Sequence, residues 1–314
     1  MQARSPFVRR WWIYQRERFP LLGHGPLIAA FSFSALSFSM LLRGRTTLPD
    51  AAPVIVAFVT ALLFFLQLRI ADEFKDFEED SRFRPYRAVP RGLVTLRELG
   101  GLGILAAVVQ LILAVWLMPS LVLLLAVAWA YLVLMSKEFF VPAWLKAHPI
   151  LYMISHMVII PLVDLYATAC DWWVAGAGVP RGLIWFLVVS YFNGLVIEIG
   201  RKIRGPKEEE TGVNTYSALW GPRNAVLAWL GSLTATAAFA FVAAWQIDFF
   251  VPVSGLLAVL LTAAGIIAGR FLRQPDAKRA KRIETASGLW TILMYLSLGA
   301  VPLLVRFWFA IGGG

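Results

Sequence analysis

The sequence predicts an all-α polytopic membrane protein, a bundle of nine transmembrane helices around a central cavity, built as a single domain over residues 1–314. Three observations predict it. Hydrophobic residues make up 59% of the chain and charged residues 15%, with a mean hydropathy of +0.71, which leaves too little polar surface for a soluble domain of this size. Apolar runs of about 17–25 residues, the length that crosses the hydrocarbon of a bilayer, recur nine times. Lys and Arg fall almost entirely in alternate connections between those runs, as the positive-inside rule requires.

The first 20 residues are basic and aromatic (RRWWIYQRERFP). They read as a cytoplasmic interfacial segment whose Trp residues sit at the lipid boundary, not as a cleavable signal with a short apolar core. Spans follow near 22–42, 51–71, 100–118, 120–136, 149–168, 182–200, 223–245, 249–270 and 286–310. The joint Met118-Pro119-Ser120 is so short that the third and fourth spans must form a hairpin. Of 29 Lys and Arg, 25 lie in the amino-terminal segment (Arg4 among them) or in the second-to-third, fourth-to-fifth, sixth-to-seventh and eighth-to-ninth connections; only Arg43, Arg45, Arg181 and Arg306 lie on the other side. The amino terminus is therefore expected in the cytoplasm and the carboxyl terminus opposite, in a bacterial inner membrane.

The net charge of +10 sits in loops beside spans, where membrane lipid headgroups are the natural partners and nucleic acid is not. The single cysteine, Cys170, excludes an internal disulfide and a cysteine-rich metal site. His24, His148 and His156 show no metal-ligand spacing.

Two long cytoplasmic connections carry acids and bases together. The first begins RIADEFKDFEEDSRFRPYRAVPRG, with Asp72, Asp76 and Asp80 four residues apart. At 3.6 residues per turn such spacing puts three carboxylates on nearly one helical face, about 6 Å apart. Like charges so placed repel unless cations compensate them. Mg²⁺ bridging to a diphosphate is such compensation. A charge run is otherwise ordinary solvated surface, and the continuity of this one with an apolar span argues for a site. The second connection opens at Glu198 and runs through Arg201, Lys202, Arg204 and Lys207 to Glu208, Glu209 and Glu210, closing with GVNTYSALWG. Glu198 follows LIWFLVVSYFNGLVI without a polar break, and a carboxylate in hydrocarbon costs about 2.5–3.5 kcal/mol on insertion scales. It is a site candidate unless the span ends at Val196. The Glu208–Glu210 cluster, flanked by Gly and Pro, reads as solvated. Four spans separate the two connections, so two halves of the chain are expected to face each other across the cavity. Within spans, Asn193 is a pocket candidate or an interhelical hydrogen bond. Asp164 is a candidate on burial cost alone, or wet if it lies near the outer end.

The first connection resembles the first signature of the UbiA superfamily of intramembrane prenyltransferases, N-x-x-x-D-x-x-x-D followed by R-P-x-R-x-x-P-x-G. Asp76 and Asp80 match its aspartates, Arg84, Pro85, Arg87, Pro90 and Gly92 match its continuation, and Asp72 stands where that family usually has Asn. The second signature is degraded. Its G-x-x-T-(L/F/Y)…L-G element survives as GVNTYSALWG, but the aspartate-rich segment before it reads NGLVIEIGRKIRGPKEEETG, with Glu198 in the leading acidic place and bases after it. The resemblance extends over essentially the whole chain.

The resemblance implies a nine-helix fold and a Mg²⁺-dependent reaction. An allylic prenyl diphosphate ionises, and a membrane-associated, lipophilic and usually aromatic acceptor captures the cation. It implies Asp72, Asp76, Asp80 and Glu198 as catalytic metal ligands and Arg84, Arg87, Arg201, Lys202 and Arg204 as diphosphate contacts, with a basic residue standing in for a second metal. Aromatic faces would stabilise the cation, though 13 Trp, 8 Tyr and 22 Phe are too many to rank. A terpene cyclase of the same fold, needing no acceptor, is the alternative. A membrane transporter is a more distant one, disfavoured because the charges cluster at one mouth and not at the midplane.

Overall fold

The computed structural model describes residues 6–210 and 212–312; Arg4, one of the orienting charges, lies outside them. The described residues form fourteen α-helices and no strand: α1 (Phe7–Arg18), α2 (Leu21–Leu42), α3 (Ala51–Lys75), α4 (Phe77–Phe83), α5 (Leu96–Leu117), α6 (Leu121–Ser136), α7 (Pro142–Ala147), α8 (Pro149–Met157), α9 (Ile159–Trp172), α10 (Leu183–Arg201), α11 (Tyr216–Gln246), α12 (Phe250–Arg273), α13 (Ala277–Leu298) and α14 (Ala300–Gly312). Hydrocarbon offers no partner to backbone N–H and C=O groups, so helices are the form that apolar runs of this length must take.

Eight units are long and apolar enough to cross a membrane: α2, α3, α5, the stacked pair α8 and α9, α10, α11, α12, and the pair α13 and α14. The chain is an integral membrane protein. The expected count of nine is not reached on this measure. The fourth predicted span, α6, has only 16 residues, about 24 Å at 1.5 Å per residue, against a hydrocarbon core of about 30 Å. It ends at Lys137, where Glu138, Phe139 and Phe140 all take positive φ (48°, 52° and 62°) in a tight left-handed turn.

Helix α10 packs against α8, α9, α11 and α13, while α2 packs against α3, α9, α13 and α14. Polar side chains tie helices together inside the bundle: Trp129 Nε1 donates to Gln110 Oε1 at 3.0 Å, Gln110 Nε2 to the Thr60 carbonyl at 3.1 Å, and Trp229 Nε1 to Ser287 Oγ at 2.8 Å. Such bonds hold transmembrane helices where apolar contact alone does not distinguish neighbour from lipid. Phe31, Phe38, Phe64, Phe186 and Tyr295 fill the interior. Two concavities lie at the edges, one of about 340 Å³ lined by Trp12, Ile13, Arg16, Glu17 and Arg91 and one of about 430 Å³ on the outer face of α12.

Helix α1 straps across the start of α5. Arg10 donates to Glu98 Oε1 at 2.9 Å and to the Leu93 carbonyl at 3.0 Å, Arg91 pairs with Glu17 at 2.8 Å, and Arg18 pairs with the buried Glu73 of α3. Gly299, between α13 and α14, lies against the backbone of Ser34 so closely that a Cβ would press into the Ser34 carbonyl. Backbone cannot swing aside as a flexible side chain does. Gly299→Ala is expected to cost about 1–3 kcal/mol and to lower the melting temperature in detergent, read by tryptophan fluorescence.

Candidate active site at the helix mouth

The acidic ladder is the exit of α3 from the membrane. The helix bends at Asp76 (φ −93°, ψ 4°) before α4 begins. The hydrogen bonds from Asp76 N to Asp72 O (2.9 Å) and from Asp80 N to Asp76 O (2.8 Å) carry the four-residue spacing through the bend. The three carboxylates meet different surroundings. Asp72 is partly exposed, loosely held by Arg69 at 3.5 Å and Lys75 at 3.7 Å. Asp76 makes no ion pair among the described residues; burial, with Asp72, Asp80 and Glu79 nearby, pushes its carboxyl above the ordinary aspartate value, against the pull of Lys75. Asp80 is buried between Arg84 Nη2 at 2.7 Å and Arg87 Nη1 at 2.6 Å.

The arginine-proline stretch turns the chain back toward the membrane. Gly92, at φ 75°, supplies the left-handed position that a side chain would strain. Thr95 and Glu98 then form a reciprocal capping box that starts α5.

The second connection begins at Glu198, buried at the end of α10. Its Oε2 accepts from Arg201 Nε at 2.7 Å, and Lys202 Nζ lies 2.8 Å from Oε1. The basic residues found where further acids were expected thus neutralise the one acid that remains. Arg204 donates its backbone N–H to Ser217 Oγ at 2.8 Å and is exposed. Of the glutamate cluster, Glu209 accepts from Thr215 Oγ1 (2.5 Å) and Ser217 Oγ (2.7 Å), bracing the start of α11. Helix α11 bends at Gly221, φ 78°, just before Pro222.

The two connections meet. Tyr86 OH donates to Glu210 Oε2 at 3.3 Å, and Gly212 packs on the ring of Phe83 with no room for a side chain. Arg201 lies within electrostatic reach of Asp72, and Lys202 Nζ sits 5.4 Å from the ring centre of Tyr216. Sequence reasoning misses three further residues. Lys75 Nζ donates to Tyr152 OH at 2.6 Å, and Tyr152 stacks on His156 with ring centres 3.9 Å apart. His156 is buried, its Nε2 has no partner, and Lys75, Asp72 and Glu198 are near enough to act on it. The only sequence signal for the pair is their i, i+4 spacing at the start of a span, one helical face. The left-handed turn after α6 brings the buried Glu138 into reach of Tyr152.

The four carboxylates expected on metal do not gather: among the described residues no three Asp, Glu, His or Cys side chains cluster tightly enough to hold an ion. Asp80 and Glu198 are each closed by two cations at 2.8 Å or less, Asp72 is held only loosely by two, and Asp76 is open. Asn193 is 1% exposed and neither of its amide atoms has a hydrogen-bond partner. Asp164 is fully buried, which settles the choice between a wet and a buried position.

The site is thus an all-helical membrane bundle whose two charged connections converge at one mouth, and sequence comparison assigns the chain to a family. Residues 28–299 match the UbiA prenyltransferase family; the chain belongs to that family. No curated protein matches it. Among solved structures it is similar to the apo structure of a UbiA homolog from Aeropyrum pernix K1 (14% identity, TM-score 0.67, 89% of this chain and 97% of that one). It is also similar to a digeranylgeranylglyceryl phosphate synthase (12%, 0.61, 95% and 99%). A third is a UbiA homolog from Archaeoglobus fulgidus bound to DMAPP and Mg²⁺ (13%, 0.54, 91% and 98%). At these identities the likeness is one of fold.

Because the raised carboxyl of Asp76 binds protons more tightly folded than unfolded, its ionised form costs stability above the folded pKa, and that cost is relieved as pH falls through it. Asp76→Asn is therefore expected to raise the melting temperature at pH 7–8, with a gain that shrinks toward pH 5. A gain independent of pH would mean that repulsion at Asp76 is not its source.

Proposed function

We propose that this chain transfers a prenyl group from an allylic prenyl diphosphate to a membrane-associated, lipophilic, aromatic acceptor, with Mg²⁺ as cofactor. The observation that carries the reading is the convergence of Asp72, Asp76 and Lys75 with Glu198, Arg201, Lys202 and Tyr216 at a single mouth. Membership of the UbiA prenyltransferase family supports the reaction class. The A. fulgidus homolog bound to DMAPP and Mg²⁺, and again to GPP and Mg²⁺, supports the donor and the metal.

The donor set suits Mg²⁺. That ion takes one or two carboxylates and completes its octahedron with water and phosphate oxygens, without needing an all-protein cage. Asp72, loosely held, and Asp76, open, would hold it. When bound, it neutralises charge developing on the departing diphosphate. Asp80 and Glu198, the other two expected ligands, reach a metal only by releasing their cations; while paired, they fix Arg84, Arg87, Arg201 and Lys202 at the mouth. Those bases, with Arg204, then meet phosphate oxygens directly, as Arg and Lys do in other phosphate sites. Lys75, Tyr152 and His156 line the same mouth. The C–O bond of the donor breaks with its electron pair leaving on pyrophosphate, a bond from the prenyl carbon to the acceptor forms, and the acceptor's C–H or O–H bond breaks, its proton passing to water or pyrophosphate. By the positive-inside distribution the mouth faces the cytoplasm.

The test is pyrophosphate release by the purified protein from geranyl, farnesyl and geranylgeranyl diphosphates, with Mg²⁺ or EDTA and a lipid extract as acceptor pool. Mg²⁺-dependent release with a product heavier by one prenyl chain supports transfer. A cyclised hydrocarbon alone indicates the cyclase, and no release with any donor contradicts both. Asp72→Ala and Asp76→Ala are expected to lower release by about 100-fold or more, the scale of losing one preorganised electrostatic group. Glu198→Gln, which frees Arg201 and Lys202, is expected to raise KM for the donor more than it lowers kcat.

A further inference from the structure

Well inside the bundle, away from the mouth, lies a second polar group. Asp164 of α9, Ser190 and Asn193 of α10 and Tyr295 of α13 are all 2% exposed or less. Ser190 and Tyr295 both donate to Asp164 Oδ2, the latter at 3.3 Å, and Ser190 Oγ is 3.0 Å from Tyr295 OH. Asp164 Oδ1 has no partner. Asn193 lies beside Tyr295 without an aligned hydrogen bond, so its amide N–H₂ and C=O are both unpartnered. An unmade bond on a buried polar atom costs about 1–3 kcal/mol, and an ionisable residue within a span marks a candidate functional site. An interhelical staple would satisfy these atoms. This group leaves three of them unused.

We propose that Asp164 and Asn193, oriented by Ser190 and Tyr295, form a recognition site for the uncharged hydroxyl of an otherwise apolar molecule, the acceptor in the reaction above; the inference rests on that reading. A hydroxyl donates one hydrogen and accepts others. It matches Asp164 Oδ1 as acceptor and the Asn193 amide as donor. No Lys or Arg pairs with Asp164 among the described residues, so the site is unsuited to a carboxylate or phosphate, whose charge would meet another acid in hydrocarbon. The walls are aromatic: Phe31 and Phe186 stand 5.1 Å and 5.9 Å from the Tyr295 ring, edge to face. Asn193 precedes Glu198 by five residues of α10, about 7.5 Å along the axis. That rise is comparable to one aromatic ring. A phenol held by its hydroxyl at Asn193 therefore lies about one ring's length in depth from Glu198, whose side chain leaves α10 about 140° around the axis from that of Asn193.

The probes are radiolabelled 4-octylphenol, its methyl ether 4-octylanisole and 4-octylbenzoate, bound to the purified full-length chain in nanodiscs without any prenyl diphosphate, with empty discs subtracted. The wild type is expected to prefer the phenol over both others by about tenfold, the equivalent of one good hydrogen bond. That preference should fall below about twofold in Asn193→Leu and in the isosteric Asp164→Asn, each checked for monodispersity and melting temperature. The second variant keeps the test valid if the first does not fold. Equal binding of phenol and ether, no binding of the phenol, or a folded variant that keeps the preference would overturn the proposal. A wild type that selects the phenol yet releases no pyrophosphate would contradict the donor reading and leave this site standing.

Discussion

Charge at the edge of hydrocarbon must be neutralised where it stands, and the mouth of this bundle is arranged around that constraint. Removing an ion from water costs several kcal/mol even after relaxation, so several of the carboxylates that the helices carry to the boundary meet cations within their own turn or across a loop. Asp80 has Arg84 and Arg87, Glu198 has Arg201 and Lys202, and Glu73 has Arg18. At the far end of the bundle Asp171 is held in the same manner by Arg43, at 2.7 Å, and by Ser39, at 2.6 Å. Asp76 differs: among the described residues it makes no ion pair, and acids stand on either side of it. An unpaired carboxylate with others on either side is a place where affinity for an added cation is stored at the expense of stability, a common exchange at active sites.

The pairing pattern also gives meaning to the degraded second signature. A mouth with two acidic clusters would need metal at both to bind a diphosphate. Here one side is acidic and open while the other has become basic, with Glu198 holding Arg201 and Lys202 in place. On the proposed reading the two sides offer a diphosphate different groups: carboxylates for its metal at the end of α3, guanidinium and ammonium for its oxygens at the end of α10. Arg and Lys bring charge without recruiting an ion, and Arg adds a planar fork of donors. The aromatic interior beneath them offers a dry wall for an isoprenoid chain.

Much of the fold is legible in the sequence because hydrocarbon thickness and backbone hydrogen bonding leave helices as the main solution. The limit shows at α6, where apolarity alone marks a span and length does not support it. The pairing of Asp80 with Arg84 and of Glu198 with Arg201 and Lys202 is written in i, i+3 and i, i+4 spacing and is readable in principle. The contact of Lys75 with Tyr152 is not, because 77 residues separate them and only helix packing decides that they meet. The same holds for Asp164 and Tyr295, 131 residues apart. Sequence gives the burial cost of Asp164 but not the hydroxyls that receive it.

On the reading proposed above, the weakly held carboxylates Asp72 and Asp76 and the paired bases together form one diphosphate site. Isothermal titration of the purified protein with geranyl S-thiolodiphosphate, a donor analogue slow to ionise, tests it directly when run with Mg²⁺ and with EDTA, and repeated on Asp76→Asn. The account predicts binding at least about tenfold tighter with Mg²⁺ in the wild type, and little Mg²⁺ dependence in the variant, whose bases still hold the diphosphate weakly. Equal affinity with and without Mg²⁺ in the wild type would contradict it.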